Sequence, residues 1–217
     1  MPSAVLRADK VQYQETTCRS ALNKVAGKPF AWTLNPYRGC THGCYYCFAR
    51  RYQSHLELDA GDTFSSVILI KVNFADVLRR ELKRATWRPA SVAAGTATDP
   101  YQPIEGRYEL SRRTLEVLLE HPTPLGLITK GPLVIRDADL VAELGRRTQC
   151  TVYVSVPTTD IGAWEKLEPG TSPPSQRLRA VSQLAARDIN VGVLMAPLVP
   201  GITSQRAKLD RTLRTVE

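Results

Sequence analysis

Three cysteines, Cys40, Cys44 and Cys47, stand in the run Tyr37-Arg38-Gly39-Cys40-Thr41-His42-Gly43-Cys44-Tyr45-Tyr46-Cys47-Phe48. Three thiolates in one tight loop can hold three irons of a [4Fe-4S] cluster, and no fourth cysteine sits nearby to take the last one. An iron without a protein ligand is a place for chemistry. Gly39 and Gly43 let the backbone turn tightly and bring amides close to the cluster sulfurs, while Tyr45, Tyr46 and Phe48 keep water away. The competing chemistry is a structural zinc site in which His42, Cys18 or Cys150 adds a fourth ligand. Structural zinc sites usually combine two separated ligand pairs, and this chain offers one triplet and no second pair.

The spacing Cys-x3-Cys-x2-Cys, with the aromatic Tyr46 just before the last cysteine, resembles the signature of the radical S-adenosylmethionine (SAM) enzymes. The resemblance implies that the amino and carboxylate groups of SAM chelate the open iron. It implies further that reduction of the cluster cleaves SAM to methionine and a 5'-deoxyadenosyl radical, which abstracts a hydrogen atom from the substrate. Tyr46 would lie near the adenine, and an external electron donor of the flavodoxin or ferredoxin kind would be needed.

Other polar residues follow apolar runs, where a β/α barrel gathers its working groups. After Ser91-Val92-Ala93-Ala94 comes Gly95-Thr96-Ala97-Thr98-Asp99, and the hydroxyls of Thr96 and Thr98 with the Asp99 carboxylate could orient the ammonium and ribose of SAM. The same residues also suit a turn or a helix cap. Lys130, after Leu127-Ile128-Thr129, could meet the SAM carboxylate as a point charge or be a surface lysine. Ser155 shares a strand face with Tyr153 and could bond the ribose or its own neighbours.

With Asp99-Pro100-Tyr101-Gln102-Pro103-Ile104-Glu105, the resemblance narrows to the spore photoproduct lyase-like, or DNA repair photolyase-like, branch. Positions equivalent to Thr96, Lys130 and Ser155 bind SAM there, and the lyase acts on DNA. In the lyase a cysteine at the end of the strand returns hydrogen to the product radical. Here the resemblance puts Gly95 at that position, which argues against thymine-dimer repair by that route unless another thiol, such as Cys150, substitutes.

The elements that must position these groups alternate. Phe30 to Leu34 reads as a strand entering the cysteine loop, and Val67 to Val72 as a β-branched strand that could be peripheral. Phe74, Val77, Leu78, Leu82 and Ala85 recur at helical spacing, with Asn73 placed as N-cap. Further strands are expected at Ser91 to Gly95, Leu125 to Thr129, Thr151 to Val156 and Asn190 to Ala196. Helices are expected after Ser111 and after Asp137, each as a cap, and from Gln176 to Arg187, with a loop over Pro157 to Pro174. This is the pattern of a parallel sheet with crossover helices. The fold class is therefore α/β, and the superfamily resemblance implies a partial (β/α) barrel. Five units are countable and no sixth strand, so a barrel lacking its last strand is expected.

The 217 residues, 43% hydrophobic and 23% charged, suit one domain over 30–217 after a polar leader at 1–29. No apolar run suits a signal peptide or a membrane span, and five cysteines with three in one loop are no disulfide framework. A reducing, cytoplasmic setting without membrane attachment is expected. Twenty-nine Lys and Arg against 21 Asp and Glu give a net charge of +8, which permits a nucleic-acid partner without demanding one. The pairs Arg50-Arg51, Arg79-Arg80, Arg112-Arg113 and Arg146-Arg147 read first as solvated faces. Beside the radical enzyme stands another reading, a non-catalytic cluster-binding or nucleic-acid-binding remnant that takes up iron and sulfide but not SAM.

Overall fold

The computed structural model describes residues 11–56 and 63–216, without the side chains of 53–56, so the first part of the expected leader lies outside the described residues. Among the described residues nine strands form two sheets: β1 (Gln12–Thr16), β2 (Leu22–Lys24), β3 (Trp32–Leu34), β4 (Tyr37–Arg38), β5 (Val67–Lys71), β6 (Val92–Ala94), β7 (Leu125–Thr129), β8 (Cys150–Ser155) and β9 (Val191–Leu194). The larger sheet has the order β2-β3-β6-β7-β8-β9, in which β3 to β9 run parallel and β2 is antiparallel at one edge. Sequential neighbours joined by helical crossovers are what short right-handed β/α connections produce. The architecture is α/β with five parallel strands, consistent with a partial barrel, and β9 is the last strand of the sheet among the described residues.

The helices are α1 (Thr63–Ser66), α2 (Phe74–Leu82), α3 (Glu105–Tyr108), α4 (Leu110–Glu120), α5 (Ala138–Arg147), α6 (Ile161–Leu167), α7 (Pro174–Ala185) and α8 (Arg206–Val216). Apolar residues at helical spacing decide which face they bury. Phe74, Val77, Leu78 and Leu82 of α2, Leu115 and Leu118 of α4, Val141 and Leu144 of α5, and Leu184 of α7 join Leu125, Leu127, Val152 and Val154 of the sheet in one core. Alternation along β7 and β8 turns Ile128 and Tyr153 the other way, onto the opposite face of the sheet, where Ile128 is half-buried and Tyr153 exposed. There the register sets Ile128 beside Tyr153 and Tyr153 beside Gly192.

The run at 67–72 is indeed peripheral to the main sheet. It forms the centre of a second sheet of order β1-β5-β4, in which Ile68 and Ile70 pack with Tyr37, Ile104 and Leu110. The N-terminal stretch adds a strand to each sheet, and its turn at Ser20–Leu22 is held by Glu81 of α2. That buried carboxylate accepts from Ser20 Oγ at 2.7 Å, Ala21 N at 3.1 Å and Leu22 N at 2.9 Å.

Three expected caps do other work. The Asn73 amide bonds Cys18 on both sides, accepting from its N at 2.8 Å and donating to its O at 3.0 Å, and caps nothing. Ser111 lies inside α4, where its hydroxyl reaches Pro100 O, and Glu109 with φ 52° takes the N-cap position. Asp137 sits at the start of α5, but its carboxylate faces Arg112, Arg136 and Tyr101. Asn73 and Ser111 are taken by backbone groups of distant segments and Asp137 by cations and a phenol, partners that sequence spacing does not reveal. The expected loop over 157–174 contains α6, with Asp160 as a true cap that accepts from Ala163 N at 2.8 Å.

Candidate functional site

The cysteine loop leaves β4 at the C-terminal edge of the larger sheet and is braced from three directions. Gly39 enters it with φ +79°, where a Cβ would meet Val67 O at 2.4 Å, so glycine alone fits the crossing. Cys40 N donates to Phe64 O at 2.9 Å. From the β6 end, Thr98 Oγ1 donates to Gly39 O at 2.5 Å, Gln102 Nε2 donates to the same carbonyl at 3.2 Å, and Gln102 Oε1 accepts from Thr41 N at 3.1 Å. Arg50 reaches back to the carbonyls of Gly43 and Cys44 at 3.0 and 3.1 Å.

The third brace comes from the segment after α6. Tyr45 N donates to Leu167 O at 3.0 Å, and Gly170 N donates to His42 O at 3.1 Å. Gly170 lies so close that a Cβ would stand 2.4 Å from Thr41 O.

All five cysteines are free, and Cys40 and Cys44 are buried while Cys47 is half-buried. Burial first, then Glu168 and the neighbouring thiols of Cys40 and Cys47, push the Cys44 thiol well up, and Lys130 alone opposes this. The loop thus sets three thiols within one another's field with protons that a metal would displace. Between them the Thr41 hydroxyl is buried without a hydrogen-bond partner. A braced backbone, three thiolate donors and an orphaned hydroxyl fit a cysteine-held cluster.

Of the three candidate fourth ligands for zinc, Cys18 packs against the main core and Cys150 is buried in it, where burial pushes its thiol up to about 12. His42 stays beside the triplet, between Cys40 and Asp99. Among the described residues, no three His, Cys, Asp or Glu side chains converge as a single metal ion requires.

The six residues expected to hold SAM fall into two groups. Thr98 and Asp99 are buried and committed to the protein itself. The Asp99 carboxylate accepts from Tyr101 N at 2.8 Å, Thr129 Oγ1 at 2.6 Å and Lys130 N at 2.7 Å, and its Oδ2 lies 3.3 Å from His42 Nδ1. That last contact is an ion pair whose alignment is too poor for a hydrogen bond. Burial alone would raise Asp99, but His42 and the donated hydrogen bonds hold it at about 2. Burial alone would lower His42, and Cys40 and Asp99 raise it to about 10.

Of the other four, Ser155 is buried and Tyr46, Thr96 and Lys130 are half-buried. Thr96 Oγ1 accepts only a long 3.4 Å bond from Asn35 Nδ2, and the Ser155 hydroxyl makes no hydrogen bond among the described residues. Lys130 Nζ lies 3.8 Å from Glu168 Oε1 and 5.7 Å from the centre of the Tyr46 ring, so its donors have no close acceptor. The Tyr46 hydroxyl donates to the same Glu168 oxygen, and burial with that carboxylate holds the phenol far above its ordinary range.

Glu168 and Arg177 were not legible as site residues. Both are essentially fully buried, and Arg177 Nη2 lies 2.7 Å from Glu168 Oε2. Arg177 also donates to Ser155 O at 2.9 Å and Ser172 O at 2.8 Å. A buried Arg in an otherwise amphipathic helix was the available signal, hidden because Arg177 stood beside Arg179 in a surface-like pattern. Arg38 and Arg50, which flank the loop, both donate to backbone carbonyls, those of Tyr52 and of Gly43 and Cys44.

Comparison with known proteins follows this geometry. An uncharacterized protein of Mycobacterium tuberculosis is 41% identical over 208 residues, covering 94% of this chain and 61% of the relative. The radical SAM Nalpha-GlyT isomerase of Pseudomonas phage M6 is 25% identical over 174 residues, covering 78% of this chain and 33% of that protein. Among solved structures, spore photoproduct lyase complexed with dinucleoside spore photoproduct superposes with a TM-score of 0.72 at 20% identity, over 97% of this chain and 59% of that one. The chain thus spans about three-fifths of the length of the mycobacterial relative. The family model described as the radical SAM superfamily matches residues 34–213, a span that starts at the last residue of β3 and holds the braced cysteine loop and the parallel strands β6 to β9, and the chain belongs to that superfamily.

Proposed function

We propose that this chain is a radical SAM enzyme in which Cys40, Cys44 and Cys47 hold one [4Fe-4S] cluster and the strand ends hold SAM against it. The observation that carries the reading is a triplet of free thiols in a loop braced at the C-terminal edge of a parallel sheet, with Tyr46, Lys130 and Ser155 along the same edge. When bound, the reduced cluster and SAM together supply a 5'-deoxyadenosyl radical that takes hydrogen from a substrate.

The chain's own residues bind and orient. Lys130, with donors unfilled, takes the SAM carboxylate, and the Ser155 and Thr96 hydroxyls serve the ribose and ammonium. Tyr46 lines the adenine. Thr98 and Asp99 act one step back, keeping the loop and the Lys130 backbone in place. The sheet face of Ile128, Tyr153 and Gly192 receives the substrate.

Nucleic acid is the favoured substrate class, supported by the net charge of +8 and by the dinucleoside bound in the structurally similar lyase. Gly95 sets a limit on the reaction. With φ +90° and a Cβ that would meet Ile128 O at 2.0 Å, this position admits no thiol-bearing side chain. Gly95 itself offers no thiol to return hydrogen, so thymine-dimer repair by that route is not proposed. Electrons come from a small flavodoxin- or ferredoxin-like donor, and the setting is cytoplasmic. Among the described residues no helix is long and apolar enough to cross a membrane.

The test is anaerobic reconstitution with iron and sulfide, followed by metal analysis and SAM binding by equilibrium dialysis. The reading expects about four irons and four sulfides per chain and one SAM. About one zinc with no acid-labile sulfide would replace it with the structural-metal reading. A full cluster that binds no SAM would leave the non-catalytic remnant.

A further inference from the structure

The buried pair Glu168–Arg177 joins three parts of the site that are far apart in sequence. Glu168 follows α6, and one of its oxygens takes both the Tyr46 hydroxyl and, at 3.8 Å, the Lys130 ammonium. Its other oxygen is 2.7 Å from Arg177 Nη2, and Arg177 carries its remaining donors to Ser155 O, Ser172 O and Thr171 Oγ1. Side-chain exposure is 2% for Glu168 and 0% for Arg177, whereas Lys130 keeps 18%. A carboxylate so enclosed cannot leave its place, and a single contact with Arg177, itself held by Ser155, Ser172 and Thr171, anchors its second oxygen. Lys130 differs, since the distance to Glu168 exceeds a hydrogen bond and its ammonium stays free to take an anion.

The charges agree with this. Arg177 neutralises Glu168, and Lys130 brings one further positive charge to the rim without a full partner of its own. Glu168 therefore aims Lys130 without consuming it. The same carboxylate fixes the Tyr46 phenol, and the Leu167–Gly170 segment that carries it is bonded to the cysteine loop on both sides.

The geometry points to Glu168, locked by Arg177, as the positioning residue that sets Lys130 for the carboxylate end of SAM. This inference rests on the SAM-binding reading above. Glu168 itself touches neither SAM nor the cluster in this account. It acts through Lys130, and its removal lowers the affinity for SAM more than for a ligand that lacks the carboxylate.

The experiment uses the reconstituted full chain and measures binding, not turnover. SAM and decarboxylated SAM are titrated against wild type, Glu168→Gln, Lys130→Met and the double variant, with iron and sulfide content checked in each. The expected result is a loss of tenfold or more in SAM affinity for Glu168→Gln, a much smaller loss for decarboxylated SAM, and a double variant no worse than Lys130→Met. Should Glu168→Gln fail to fold, Glu168→Gln/Arg177→Met removes both charges together and carries the same comparison. Equal losses for both ligands, or additive effects with Lys130→Met, would overturn the positioning role while leaving SAM binding intact. Failure of wild type itself to bind SAM would instead overturn the reading on which it rests, and the inference with it.

Discussion

Asp99 Oδ2 lies 3.3 Å from His42 Nδ1, joining the end of β6 to the interior of the cysteine loop. With Tyr101 N, Thr129 Oγ1 and Lys130 N also bonded to it, Asp99 ties three segments together at one carboxylate. Its value of about 2 lies below that of an aspartate in an unfolded chain, near 4. The stability it contributes is therefore fully present above about pH 4 and is lost as pH falls toward 2. Asp99→Asn in the cluster-free protein should cost about 2–3 kcal/mol at pH 7, and the difference from wild type should shrink toward pH 2.5. Urea unfolding at both pH values checks this, and an unchanged gap would show that the charge is not what matters.

Gly170 allows a second test of how the loop is braced. A methyl group there would stand 2.4 Å from Thr41 O, a backbone atom that cannot swing aside. Gly170→Ala should lose about 1–3 kcal/mol of stability and reduce iron uptake on reconstitution. Gly106, in α3, has only Leu133 Cδ2 at 3.9 Å, so Gly106→Ala should be neutral or slightly stabilising in the same melting experiment. Equal behaviour of the two variants would contradict the crowding argument.

Arg136 bridges two fully buried carboxylates, 2.7 Å from Glu105 Oε1 and 2.7 Å from Asp137 Oδ2. Tyr37, next to the cysteine loop, is bonded to the same Glu105 at 2.5 Å. Arg136→Met leaves buried charge uncompensated and should cost about 3 kcal/mol or more in chemical unfolding. Arg146→Ala, which breaks an exposed pair with Glu143, should stay within about 0.5 kcal/mol. A small effect at Arg136 would mean that water reaches those carboxylates.

Much of this arrangement is legible in the sequence, because periodicity reports burial. The strand at 125–129 appears as read, and those near 92, 151 and 191 differ only at their ends. The cysteine triplet is visible in the sequence because its three members stand in one short run, Cys40 to Cys47. What stays hidden is long-range pairing of polar groups. Thr98 and Asp99 look like ligand contacts at a strand end, yet their partners are Gly39, His42 and Thr129, up to 59 residues away. Asn73 and Asp137 look like caps and are claimed by distant groups. Glu168 and Arg177 lie in a stretch rich in Pro and Gly and in a charged helix, and only folding makes them a pair. Short strands β1 and β2 carry little alternation, and they are strands because β5, β3 and Glu81 hold them.

The central claim is radical chemistry at the cysteine loop, and one measurement addresses it most directly. Anaerobically reconstituted protein is given dithionite and SAM, and 5'-deoxyadenosine is followed by chromatography in wild type, in each of Cys40→Ala, Cys44→Ala and Cys47→Ala, and in Cys150→Ala. The account predicts 5'-deoxyadenosine from wild type and Cys150→Ala and none from the three loop variants. Its absence from wild type with a full cluster, or its persistence in a loop variant, would contradict the account.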